Sequence, residues 1–315
     1  MAHNILENDQ MMYNQQNGLP WHGLGNAHDG LATAENMLKL ANLDWSVSLK
    51  PIMVGDVEAS DYKAVVRDDT NDVLSIMKNR YTPLQNTEAL NFFDPIVERS
   101  EAIYETAGSI KNGRTVFLLA KLPGHIESVK DDIIEKYVLL TNSHDGTSPV
   151  VAKFTPVRVV CNNTLTLALK GDGETVKIRH TATMIDRLQV AHETLGLMNG
   201  ISNQIQDIFA NMAKVQMNMD DAKAYFNTVL GVKDPKDPST RSSNMVNEML
   251  RLVEEGAGSD IKGVRGTLYG MYQSATEFVD HHKSYREKTD RMDALVFGSG
   301  ARIKENAFQS ALALI

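Results

Sequence analysis

The period of the hydrophobic pattern changes once along the chain, near residue 180. Before that point most segments are short apolar runs separated by turn-forming residues, which is typical of strands, apart from helix-like stretches at 32–41 and 87–99. After it, apolar residues recur at steps of three or four, which predicts helices. We therefore predict an α+β protein, with an antiparallel sheet of hairpins at 1–182 and a helical region at 183–315.

Turn-forming clusters join three pairs of strand-like runs: 62–67 with 73–77, 102–110 with 114–122, and 137–141 with 150–160. The second pair carries the strongest hairpin signal, because Lys111-Asn112-Gly113 contains Asn-Gly, and both residues tolerate positive φ. In the third turn, Ser143-His144-Asp145-Gly146, we expect Asp145 to cap its own turn and Gly146 to supply positive φ. Pairing between sequence neighbours predicts an antiparallel meander.

An apolar stripe follows Thr183, with members at near-heptad spacing: Met184, Leu188, Ala191, Leu195, Met198, Ile201, Ile205, Ile208, Met212 and Val215. This stripe suits one helix of an intramolecular bundle, the favoured interpretation, or a seam between subunits. Residues 233–243 contain two prolines and no apolar residue, which predicts a linker. Further helices are predicted at 244–255, 266–282 and 306–313.

Composition narrows the class of protein. The chain has 315 residues, 42% hydrophobic and 23% charged, as in ordinary globular proteins. Its single cysteine, Cys161, excludes an internal disulfide and a thiolate zinc cluster, which fits a reducing cytoplasm. No signal-like start and no run of about 18 apolar residues are present, so neither secretion nor a membrane span is expected. The first 20 residues are polar and are predicted to be an amino-terminal extension that becomes ordered only on another surface.

Charge is unevenly distributed within a net charge of −8. Residues 1–60 carry two basic and seven acidic side chains, whereas residues 149–190 carry six basic and three acidic ones. Positive charge therefore collects just after the strand-rich centre. This pattern indicates either a site for an anionic ligand or an ordinary solvated surface.

The motifs of common enzyme classes are missing. Neither GxxxxGK[ST] nor GxGxxG occurs, and neither HExxH nor Cys/His pairs at ligand spacing, so no ATP-driven chemistry, cofactor or metal is predicted. His144, Asp145 and Cys161 could form a base, an orienting group and a nucleophile. A lone cysteine after two valines is more often an inert core residue, and no catalytic residue is predicted.

Four segments in this order carry a resemblance to a known family: PWHGLG at 20–25, GSIKNGR at 108–114, NSHDGTSPVVAKFTPVRVVCNNTL at 142–165 and FVDHHK at 278–283. They resemble the phage/plasmid-like family called domain of unknown function 932, over nearly the whole chain. The resemblance implies a gene carried by phages, prophages and plasmids, and hence a location in the host cytoplasm. It implies no activity that transfers to particular residues.

The predicted architecture is also similar in outline to phage single-strand annealing proteins, which act as rings or helices without ATP. The leading hypothesis is a single-stranded DNA-binding protein that promotes strand annealing in recombination, as a homo-oligomer built through the helical region. Phosphate contacts are assigned to Lys111, Arg114, Lys153, Arg158, Lys177 and Arg179, and base stacking to Tyr104, Phe117 and Phe154.

Two alternative hypotheses remain. The first is a protein-interaction module, such as an inhibitor of a host defence or restriction factor, that would use the acidic amino-terminal part as its contact surface. The second is an enzyme centred on His144, Asp145 and Cys161. Salt-sensitive DNA binding would favour the leading hypothesis over the first alternative, and a reactive thiol would favour the second.

Overall fold

The computed structural model describes residues 11–15, 26–29, 34–99, 102–158, 163–164, 175–181, 198–284 and 298–315. The described strands are β1 (Met11–Asn14), β2 (Asn26–His28), β3 (Val47–Val54), β4 (Val57–Arg67), β5 (Val73–Lys78), β6 (Ile103–Ile110), β7 (Thr115–Val129), β8 (Asp132–Ser143), β9 (Val150–Arg158), β10 (Asn163–Thr164) and β11 (Thr175–Ile178). The described helices are α1 (Ala34–Leu40), α2 (Asn86–Arg99), α3 (Met198–Lys214), α4 (Met219–Leu230), α5 (Thr240–Glu255), α6 (Leu268–Glu277) and α7 (Ser299–Leu312). A π-helical turn, Phe278–His282, follows α6 directly. Strands dominate the first two thirds and helices follow, which confirms the predicted α+β class.

The large sheet has eight strands, in the order β10-β9-β8-β7-β6-β1-β2, with β11 paired to β9 beside β10. Strands β6 to β9 form the predicted antiparallel meander, whereas β1 and β2 are parallel. The three predicted hairpins are all present, because each turn is encoded locally. At the β6–β7 turn Lys111, Asn112 and Gly113 all have positive φ, of 58°, 58° and 85°.

The central strands are buried on both faces. Val116 and Leu118 of β7 face the main core, whereas Phe117 and Leu119 belong to smaller apolar clusters on the opposite face. Double-sided burial explains why β7 and β9 are nearly continuous apolar runs rather than alternating ones.

A helical layer packs on one face of the large sheet, with α3 against β7. Ile205, Phe209 and Met212 of α3 are fully buried, and the Phe209 ring lies 5.4 Å from that of Tyr269 and 5.6 Å from that of Tyr272. This part of the apolar stripe is therefore used within the chain, as expected for a bundle helix. Residues 184–197 of the stripe lie outside the described residues.

The helices and the large sheet share one apolar core, which extends from Met12 in β1 to Ala311 in α7. The Tyr269 hydroxyl in α6 donates a buried hydrogen bond to Asp132 Oδ2 at the start of β8, at 2.9 Å. The expected boundary between residues 182 and 183 lies outside the described residues.

The loop between α4 and α5 covers residues 231–239, and α5 begins within the segment expected to be a linker. It begins there because the Ser239 hydroxyl accepts a hydrogen bond from the backbone N–H of Ser242, at 3.1 Å. None of the described helices is both long and apolar enough to cross a membrane.

Strands β3, β4 and β5 form a separate antiparallel sheet, which we call the arm. Its inner face contacts one end of the large sheet, where the Ser75 hydroxyl donates to the backbone oxygen of His144 at 3.0 Å. The Met77 side chain lies against Gly146, so closely that a Cβ at Gly146 would clash with it. The β8–β9 turn, with His144 and Asp145, lies at this junction of the two sheets.

Candidate functional site

A buried polar cluster joins the arm to the large sheet, with His144 at its centre. His144 is fully buried, and its Nε2 lies 3.0 Å from Asn86 Oδ1. Asn86 Nδ2 donates to the backbone oxygens of Leu43 and Trp45, at 3.0 and 3.1 Å. Because these two donations fix the amide orientation, Asn86 Oδ1 faces the imidazole and the proton is assigned to Nε2.

Trp45 forms the next layer of this junction. Its ring lies 5.3 Å from the His144 ring, and the Arg67 guanidinium carbon lies 4.3 Å from the Trp45 ring centroid. Arg67 also binds Asp69 with two hydrogen bonds, of 2.7 and 2.8 Å. A Cβ at Gly113 would lie 2.9 Å from the Trp45 ring, so this turn position requires glycine for space as well as for its positive φ.

The β8–β9 turn has the structure that its sequence predicts. Asp145 Oδ1 accepts hydrogen bonds from the hydroxyls of Ser143 and Thr147, at 2.6 Å each, and from the Thr147 backbone N–H at 3.0 Å. Gly146 has a φ of 69°. Burial raises the pKa of the Asp145 carboxyl, but the hydrogen bonds from Ser143 and Thr147 outweigh it and leave the pKa below its ordinary value.

The arrangement does not align His144 and Asp145 as a catalytic pair. The Asp145 carboxylate is engaged by its own turn, and His144 Nδ1 has no hydrogen-bond partner among the described residues. Burial, followed by the proximity of His180 and Arg67, lowers the pKa of His144 to about 3, although Asp145 acts in the opposite direction. Cys161 lies outside the described residues. Within the described ranges, no group of three or more His, Cys, Asp or Glu is placed to hold a metal ion.

The burial of His144 predicts that the folded protein becomes less stable in acid. Between pH 6.5, the ordinary pKa, and about 3, the unfolded chain binds a proton at His144 that the folded chain excludes. Stability must therefore fall as the pH falls, by at most about 1.4 kcal/mol per pH unit from this group. Urea unfolding between pH 7 and 4 should show a shallower dependence for His144→Gln than for the unmodified chain.

The matched control is His125→Gln, which makes the same change of side chain at an exposed position. Comparing slopes rather than absolute stabilities separates the titration of His144 from any packing loss in the variant. Equal slopes for the unmodified chain and His144→Gln would show that His144 does not resist protonation in the folded state.

Several predicted phosphate-binding cations come together at the junction end of the large sheet. Arg114 is exposed after the β6–β7 turn, and its backbone oxygen accepts from the His144 backbone N–H at 2.7 Å. Arg179 is exposed directly after β11, whose Ile178 pairs with Val150 at the start of β9. Lys111, half-buried in the β6–β7 turn, is close enough to Asp145 to contribute to lowering the pKa of that carboxyl.

The other predicted cations are placed differently. Lys177 is exposed and pairs with Val151, close to the same end. Lys153 is half-buried further along β9. Arg158 pairs with Ile134 toward the opposite end of the sheet, and its side chain lies outside the described part.

One exposed cation at this end was missed by the sequence analysis. Arg80 lies two residues before Thr82, whose backbone N–H donates to the oxygen of His180 at 3.3 Å. The run Lys78-Asn79-Arg80 directly after a predicted strand was the available signal. We call Arg80, Lys111, Arg114, Lys177 and Arg179 together the cationic end.

The three predicted stacking residues are not available to bases in this structure. Tyr104, Phe117 and Phe154 are all buried, and the Tyr104 hydroxyl donates to Asp94 Oδ1 at 2.6 Å. The three rings lie inside because both faces of the central strands are covered.

These features define an α+β protein in which a helical layer covers one face of a large antiparallel sheet and an arm is fixed to one end of that sheet. The chain belongs to the family described as Domain of unknown function (DUF932), whose model matches residues 73–296. This segment includes β5, the β8–β9 turn and all five residues of the cationic end. No curated protein and no solved structure matches the chain.

Proposed function

We propose that this protein binds single-stranded DNA along the phosphate backbone at the cationic end and promotes strand annealing without ATP. One observation carries the proposal: three separate chain segments bring the exposed cations Arg80, Arg114 and Arg179 to the same end of one sheet. Phosphate contacts by Lys and Arg are the main source of sequence-independent affinity for nucleic acids.

Local charge supports this placement. The chain as a whole carries a net charge of −8, so a polyanion is repelled by much of the surface and attracted where cations are concentrated. Asp145, an acid at this end, is half-buried and held by hydrogen bonds within its turn. Arg67, by contrast, is paired with Asp69 and is not counted in the cationic end.

Burial of the predicted stacking residues favours annealing over tight sequestration. Proteins that protect single strands stack bases on aromatic side chains, which occupies the bases. The side chains that define the cationic end are cations rather than aromatic rings, so a bound strand would be held by its phosphates. Its base edges would then remain free to pair with a complementary strand.

The test is binding of a labelled single-stranded oligonucleotide across a salt series. Arg114→Glu/Arg179→Glu is expected to bind more weakly and to reduce the slope of log affinity against log salt by about 0.7 for each lost phosphate contact. The unmodified chain should also accelerate annealing of complementary strands at low salt, and the variant should not.

The matched control is Lys236→Glu/Arg302→Glu, which makes the same change in net charge at exposed positions outside the cationic end. Equal losses in both variants would mean that net charge alone controls binding and would refute the site. No binding at low salt would refute the nucleic-acid function and favour the protein-interaction module.

A further inference from the structure

Exposed apolar side chains are concentrated on the arm. Twelve large hydrophobic side chains are exposed in the described part of the chain, and seven of them are on the arm: Leu49, Met53, Val54, Val57, Tyr62, Val73 and Ile76. Such a concentration marks an interaction surface, because scattered single residues are the normal condition of protein surfaces.

The tip of the arm is the β3–β4 ribbon around Gly55. Val54 pairs with Val57 and Met53 with Glu58, and all four side chains are exposed. A two-stranded ribbon without a covered face is marginally stable in water. A surface that covers these side chains would stabilise the tip.

The base of the arm exposes several side chains on the face opposite the one that contacts the β8–β9 turn, around the buried Ala64 and Val66. Tyr62 pairs with Lys78, Ala64 with Ile76 and Lys50, and Val66 with Val73, so these side chains share a face. The opposite face carries Ser75 and Met77, which contact the β8–β9 turn. The outer face therefore presents Tyr62, Val73 and Ile76 to solvent.

Charge differs between the two parts of the arm. The tip carries Asp56 and Glu58, and the outer face of the base carries Lys50 and Lys78, all of them exposed. Glu58 also forms a partly exposed ion pair with Lys63, at 2.8 Å. The base also carries the exposed acids Asp61, Asp68, Asp69 and Asp72, of which Asp69 is paired with Arg67 and Asp68 lies near Lys50. The tip is therefore acidic, whereas the base carries charges of both signs, with Lys50 and Lys78 beside its exposed apolar side chains.

We infer that the arm is a self-association surface, on which the arms of two copies of this chain pack antiparallel with the tip of each against the base of the other. A two-fold interface must be complementary to itself, and this arrangement places Asp56 and Glu58 opposite Lys50 and Lys78 twice. It also covers the apolar tip with the apolar base.

Charge favours a second copy over nucleic acid as the occupant, because the acidic tip repels phosphate. The apolar face of α3 does not compete for this role, since Ile205, Phe209 and Met212 are buried within the chain. The inference is independent of the proposed function, because the arm and the cationic end are altered by different substitutions.

The test is a charge-reversal exchange followed by sedimentation velocity across a micromolar concentration range. The tip variant is Asp56→Lys/Glu58→Lys, and the base variant is Lys50→Glu/Lys78→Glu. The unmodified chain is expected to dimerise, and each variant alone to dimerise roughly tenfold or more weakly, because like charges then meet. An equal mixture should restore a dimer that contains one copy of each variant.

Ile76→Ser should also weaken the dimer, whereas Met219→Ser, at an exposed apolar position on α4, should not. Thermal unfolding of each variant, followed by circular dichroism, checks that the fold is retained. A monomeric unmodified chain, a dimer that persists in both charge variants, or a mixture that stays monomeric would overturn the inference. Arg114→Glu/Arg179→Glu should remain dimeric, so failure of DNA binding and failure of the dimer are distinguishable.

Discussion

Replacing Lys304 with methionine is expected to lower the free energy of unfolding by about 3–5 kcal/mol. Lys304 Nζ lies 2.6 Å from Asp280 Oδ1, and only 1% and 4% of the two side chains is exposed. Removing the ammonium breaks this buried ion pair and leaves the Asp280 carboxylate, in the π-helical turn, without its contact to Lys304. Urea unfolding of the variant measures the loss.

A second substitution separates lost charge compensation from lost packing. Adding Asp280→Asn to Lys304→Met removes the remaining charge of the broken ion pair with little change in shape and should recover a large part of the stability. The exposed ion pair of Lys39 and Glu35 is the control, and Lys39→Met should leave the unfolding midpoint unchanged. If the double variant is no more stable than Lys304→Met, packing rather than charge explains the loss.

The second large effect is expected at Asn86, where alanine should cost about 3–5 kcal/mol. The side chain is buried and makes three hydrogen bonds, to Leu43 O, Trp45 O and His144 Nε2. Each buried partner left without a hydrogen bond costs about 1–3 kcal/mol. Urea unfolding at pH 7, where His144 is neutral, measures the change without a contribution from titration.

Two further variants test whether the loss of stability in Asn86→Ala comes from the hydrogen bonds at the junction. Asn211→Ala removes an exposed amide on α3 and should change stability by less than about 0.5 kcal/mol. Asn86→Asp keeps the size of the side chain but removes both donations to the backbone, so it should be at least as destabilising as alanine. A loss at Asn86→Ala no larger than that at Asn211→Ala would contradict the role assigned to this amide.

The junction has an architectural role, because it joins segments that are distant in the chain. Asn86, the first residue of α2, is held to His144, which directly follows β8, and the backbone of His144 in turn binds that of Arg114. The segment that carries the family resemblance therefore fixes the arm and positions part of the cationic end. A folded Asn86 variant is accordingly a probe of both.

Several features were determined by the sequence itself. The β6–β7 hairpin follows from Asn112-Gly113, and the β8–β9 turn from Asp145 and Gly146, because a turn depends on residues adjacent in the chain. The change from strand period to helix period likewise identified the α+β class. These signals are local, so they can be recognised in the sequence without knowledge of the tertiary structure.

Other features were decided only by the tertiary structure. The burial of Phe117 and Phe154 depends on what covers each face of the sheet, and the pairing of Asn86 with His144 joins residues 58 positions apart. The placement of Arg80 beside the other cations depends on the contact of its segment with His180. Contacts between distant segments leave no periodic signal in a single sequence, because each residue's environment is set by elements that only folding brings together.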